Sequence, residues 1–197
     1  MPSENVDMLP TIITWSDGEL VVRQSLYTSG RCPHADVAGL TVWEENCGEP
    51  AWSLLIESGG LSSNLQPRLL VVDWFASYAS RDVLYVGEKG KLFIGFGHTV
   101  GTLDVISGAC RVLKEPEGPR SQFFHWIRTP HCVVMVDELG LAGLSLDGKT
   151  LWTESSLEPP HNVYGEGTDI VVEAFSFQGC PNYRGRFSAL RGPASNE

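Results

Sequence analysis

The chain has 197 residues, enough for one domain or two small ones. Its residues are 42% hydrophobic and 19% charged, so it can bury a core, which excludes wholesale disorder. Asp and Glu number 24 against 14 Lys and Arg, a formal net charge of −10, which argues against a general nucleic-acid binder because neutralising phosphate needs clustered Lys and Arg. With 21 Gly and 12 Pro, many turns and few long helices are expected.

The chain opens Met1-Pro2-Ser3-Glu4-Asn5-Val6-Asp7, with neither a basic nor an apolar region, so no secretory leader is expected. No run reaches the roughly 18 apolar residues of a membrane helix. Cys32, Cys47, Cys110, Cys132 and Cys180 are odd in number and lack a Cys-x-x-Cys pair. They fit reduced thiols in a cytoplasmic protein; the competing reading is an exported chain with two disulfides and one free thiol.

In chain order, Thr11–Trp15 and Glu19–Arg23 flank Asp17-Gly18 and predict a hairpin turning on that dipeptide. Residues 29–38 read as a loop. Leu40–Glu44 predicts a strand, Asn46–Pro50 a turn, and Ala51–Ile56 the strand leading back. Residues 59–67 form a polar connection and a possible sub-boundary of an otherwise single β-rich domain, 1–197. Arg68–Arg81 predicts a strand followed by a turn, although its aromatics also suit a helix. Asp73, which interrupts its apolar run, is read as a strand-end carboxylate or a partly buried, paired one. Beyond it come Val83–Val86, a turn at Gly87–Lys91, Leu92–Phe96, Gly101–Ile106, Ala109–Leu113, Phe123–Ile127 and Cys132–Val136. A hairpin follows, Leu141–Leu146 returning as Lys149–Trp152. Asp169–Phe175 and Arg184–Leu190 are read as the last pair of strands. Residues 192–197 are expected to fray.

One pattern recurs. A short strand, a turn ending in Gly and a returning strand appear at Gly101–Leu113 and again at Ala142–Trp152. The turn glycines Gly108 and Gly148 are 40 residues apart, and a third copy around Arg186–Gly192 follows at 44. These units over residues 82–192 resemble the outer hairpin of a β-propeller blade of the WD40-like or quinoprotein-like kind, most closely at Leu144-Ser145-Leu146-Asp147-Gly148-Lys149-Thr150-Leu151-Trp152. The Gly-His…Trp-Asp signature is missing. The resemblance implies a small or partial propeller with room for about four blades. The residues by themselves predict an all-β antiparallel meander of repeated hairpins, with a β-sandwich as the alternative.

No catalytic motif stands out. The five histidines form no His-x-x-x-His pair, and Gly-x-Ser-x-Gly and the phosphate-loop order are absent. Cys32-Pro33-His34 and His131-Cys132 set sulfur and nitrogen close together without completing a metal site, so neither a metal nor a cofactor is predicted. No catalytic residue is assigned. Phe124, His125 and Trp126, after a proline-rich connection and poorly alternating, are the candidate binding residues as a partly exposed aromatic patch. A non-catalytic protein-binding or scaffold module with a protein partner, no membrane and no nucleic acid is the expectation. The alternatives are an acidic antidote covering a basic toxin and an enzyme with a loop-assembled Cys/His/Asp site. Open strand edges also make a homodimer possible.

Overall fold

The computed structural model describes residues 8–15, 18–27, 41–43, 51–58, 68–73, 81–97, 99–113, 122–155, 161–175 and 181–193. The architecture is all-β. Its strands are β1 (Met8–Trp15), β2 (Gly18–Tyr27), β3 (Thr41–Trp43), β4 (Ala51–Ser58), β5 (Arg68–Asp73), β6 (Arg81–Val86), β7 (Lys91–Phe96) and β8 (Thr99–Asp104). They continue as β9 (Cys110–Val112), β10 (Phe123–Arg128), β11 (Cys132–Asp137), β12 (Leu141–Ser145), β13 (Thr150–Glu154), β14 (His161–Glu166), β15 (Asp169–Phe175) and β16 (Pro181–Ser188). The one helical element described is a 3-10 turn, Gly87–Lys89. Among the described residues, no helix is long and apolar enough to cross a membrane.

The chain divides into two compact units, Met1–Tyr78 with Leu103–Cys110, and Ala79–Thr102 with Arg111–Glu197. The sub-boundary expected at 59–67 lies outside the described residues. The first unit holds a five-stranded sheet ordered β1-β2-β4-β5-β3. In its first hairpin Trp15 pairs with Gly18, so Gly18 opens β2, whereas the sequence suggests that it belongs to the turn. A second correction concerns β3, expected to turn back into β4. It instead pairs parallel to β5, while β4 runs antiparallel to β2 over eight residue pairs. A three-residue strand cannot match that ladder of backbone hydrogen bonds. Leu20 and Ile56 lie on one face of this sheet, because Leu20 is two residues from Val22, the partner of Ile56; both are fully buried. Asp73 is a strand-end residue, the last of β5 and paired with Ala51.

Three meanders follow in sequence order, β6-β7-β8-β9, β10-β11-β12-β13 and β14-β15-β16. β14 is missing from the sequence reading, because His161-Asn162-Val163-Tyr164-Gly165-Glu166 is too polar and too Gly-interrupted to signal a strand alone. Its backbone is completed by pairing with β15 over six residue pairs.

The middle sheet is apolar on both faces, and β11, Cys132-Val133-Val134-Met135-Val136-Asp137, is buried at every position. Two-sided burial requires an uninterrupted apolar run in place of an alternating one. Val133, Met135, Ala142 and Leu144 pack with Val86, Phe93, Val100 and Leu113 of the first meander. Cys132, Val134, Val136 and Leu141 pack with Val163, Ile170 and Val172 of the third.

Candidate functional site

The aromatic segment Phe123–Trp126 alternates poorly for a structural reason. Phe123 pairs with Asp137 and His125 with Val136, so Phe124 is an inserted residue, a β-bulge. The bulge puts Phe123 and Trp126 in the same cluster, their ring centroids 5.0 Å apart, and Trp126 meets Phe93 edge-on at 5.5 Å. Phe123 lies over Gly95, where a Cβ would come within 2.4 Å of its ring. Trp126 is 6% exposed, and its indole Nε1 has no hydrogen-bond partner among the described residues. Phe124 is half-buried against the second cluster, and His125 is half-buried. Of the three candidate binding residues, then, Trp126 is a core residue, and the other two border the contact between sheets.

A repeated polar contact ties the first strands of the meanders together. Asp82, second in β6, accepts a hydrogen bond through Oδ2 from the Trp126 backbone N–H at 2.8 Å and through Oδ1 from Val83 N–H at 2.9 Å. His125 is second in β10 once the bulge residue is discounted, and its Nε2 lies 3.3 Å from the Val163 carbonyl oxygen. In both cases the second residue of one first strand reaches the backbone of the third position of the next. β10 is a terminal strand of its sheet, so its outward N–H needs a partner, which Asp82 supplies. Asn162 holds the same place in β14 and is exposed.

The recurring glycines have one physical basis. Gly108, Gly148 and Gly192 have φ of 77°, 80° and 78°, the left-handed region that favours glycine. Gly108 donates its N–H to the Asp104 carbonyl at 2.8 Å and Gly192 to that of Ser188 at 2.9 Å; Gly148, in a turn one residue shorter, donates to that of Ser145 at 2.8 Å. Side chains complete two of the turns. Asp104 Oδ1 accepts from Ser107 N–H at 2.8 Å, and Ser145 Oγ from Lys149 N–H at 3.0 Å. The longer turns bury their first residue, Val105 or Ala189, and expose the next, Ile106 (74%) or Leu190 (46%). Val112 (50%) on β9 and Leu151 (43%) on β13 are the other large exposed apolar side chains described, both on the last strand of their sheet.

His131-Cys132 does not form a joint ligand pair. His131 is exposed, whereas the Cys132 thiol points inward, 3.2 Å from Thr129 Oγ1 and donating to the Ala189 carbonyl at 3.1 Å. Burial pushes that thiol above its ordinary value of 9.0, against the lowering effects of the Thr129 hydrogen bond and the Arg128 charge. A buried, protonated thiol is a poor nucleophile. Cys110 and Cys132 are both free. Among the described residues, no group of three or more His, Cys, Asp and Glu could hold a metal ion. Cys32, His34, Cys47, His98 and Cys180 lie outside them.

The face of β14–β16 turned away from the middle sheet carries charges in register. Arg184 pairs with Glu173 at 3.3 Å and hydrogen-bonds Tyr164 Oη at 3.3 Å; Arg186 reaches Asp169 at 2.8 Å and Glu166 at 2.7 Å. Those hydrogen bonds, to Tyr164 and to Asp169, are the main reason both guanidinium groups are held more firmly protonated than usual. Sequence reading missed this cluster. Its signal is Arg184-Gly185-Arg186 at a two-residue period, set against Glu166 and Asp169 on either side of the Gly167 turn.

No protein-family model matches the chain, and no curated protein sequence matches it. One similar solved structure, titled "AfRom2 CNH domain", is 10% identical, with a TM-score of 0.46 over 91% of this chain and 55% of that one. The chain therefore spans about half the length of that structure.

Proposed function

We propose that this protein is a non-catalytic binding module that engages a protein partner through the outer strands and turns of its meanders. The observation that carries this reading is the exposure of Val112, Leu151 and Leu190 on terminal strands and a turn. Their neighbours there, such as Arg111, Thr150 and Arg191, are polar and exposed. Apolar side chains held on rigid strands and rimmed by polar groups are the composition of a protein contact. The net charge of −10 favours a basic partner, whose approach it would speed. In this reading the meanders form a propeller-like stack, Asp82 and His125 being the polar contacts that hold successive first strands together.

The test is cross-linking and affinity capture from the native extract with the wild-type chain and with the triple variant V112D/L151D/L190D. A protein held stoichiometrically by the wild type and lost by the variant is expected, with the melting temperature unchanged because the sites are exposed. Capture that is identical for both chains overturns this surface. Raising the salt should slow association without changing the partner held.

A further inference from the structure

In the first two meanders the face turned toward the next sheet is apolar, with Leu84, Val86 and Phe93 in one and Ile127, Val134 and Leu141 in the other. The corresponding face of the third meander is the one directed away from the middle sheet. There stand Tyr164, Glu166, Asp169, Glu173, Arg184 and Arg186. Register fixes this placement, since Glu173 is paired with Arg184, Glu166 with Asp169, and Val171 with both Tyr164 and Arg186. Val171, 2% exposed, is the apolar floor beneath them.

Both arginines are satisfied within the sheet and each of the three carboxylates contacts one of them, so the face offers a partner little charge to pair with. An apolar sheet laid over it would strip water from five charged groups and return no hydrogen bond. We infer that this ladder is a built end to the stack, and that it prevents a second copy of this chain from adding its own sheet to β14–β16. The surface is where stacking would otherwise continue, because β14-β15-β16 repeats the sequential antiparallel order of the two sheets before it, one strand shorter, while the side chains on this face differ.

The experiment is sedimentation velocity on the full chain over a wide range of concentrations, comparing wild type with the variant E166L/E173L/R184L/R186L. The variant face resembles those of the first two meanders, and its mean mass is expected to climb toward twice the wild-type value as concentration rises. The double variant E173L/R184L removes one ion-pair group and keeps the other. It should associate at higher concentration than the quadruple variant, and it serves if the latter does not fold. Either variant, folded by circular dichroism and holding the wild-type mass at every concentration, overturns the inference.

Discussion

Glycine at the outer turns answers two separate demands, backbone conformation and close approach. At Gly148 a Cβ would lie 2.9 Å from the Thr102 side chain, and the residue also has φ +80°; at Gly167 φ is +65° but nothing lies within 4 Å. Gly167→Ala should therefore cost about 1 kcal/mol of left-handed strain. Gly148→Ala should cost about 1–3 kcal/mol more for overpacking, unless Thr102 gives way. Urea unfolding of the two variants measures the difference, and equal costs would remove the close-contact explanation. Cys132 makes a second case at this scale. Its folded pKa lies above its unfolded one, so its contribution to stability is complete below about pH 9 and is lost as pH rises through the folded value. Thermal melts of the wild type should decline over that alkaline range more steeply than those of Cys132→Ala. Iodoacetamide should leave Cys132 unlabelled in the native state at pH 8; labelling at the rate of an unfolded thiol would place the sulfur outside the core.

Among the elements, β13 shows how a partly exposed strand contributes to packing through one residue. Trp152 covers Gly143, its register partner, where a Cβ would meet the indole at 2.2 Å. It meets Phe187 edge-on at 5.5 Å and donates its Nε1–H to the Ala189 carbonyl at 2.9 Å, joining the second and third meanders. Trp152→Ala should cost about 3 kcal/mol, and Trp152→Phe, which keeps a ring and loses the hydrogen bond, about 1 kcal/mol beyond its smaller volume. Chemical denaturation of both variants checks the ratio; a Phe variant as damaged as the Ala variant would mean that the hydrogen bond, not the ring, dominates. The bulge in β10 is the other instructive element. The poor alternation of Phe123–Trp126 pointed to a partly exposed patch, whereas it marks one inserted residue, Phe124, which turns Trp126 into the core.

At the scale of whole sheets, the three meanders are unequal. The middle one is covered on both faces, whereas the third is covered on one and carries ion pairs on the other. Amide exchange should accordingly be slowest in β11 and β12 and faster in β16, since opening free energy follows buried apolar contact. Exchange mass spectrometry that found β16 as protected as β11 would contradict this order.

Local chemistry and period were legible in the residues. Runs of β-branched and aromatic side chains bounded by Gly and Pro marked almost every strand, and the glycines at 108, 148 and 192 marked a repeated turn, because strand propensity and left-handed turns are properties of a few adjacent residues. Pairing and sidedness were decided by tertiary contact. β14 exists through its ladder with β15, β3 joins the outer edge of β5 because β2 and β5 fill both edges of β4, and Trp126 is buried through a bulge whose register is set by β11. The Arg184–Glu173 and Arg186–Asp169 pairs belong to the same class, since their partners are assembled by register from separate strands. Such outcomes depend on which distant backbone fills each hydrogen-bonding edge, and only the folded chain settles that competition.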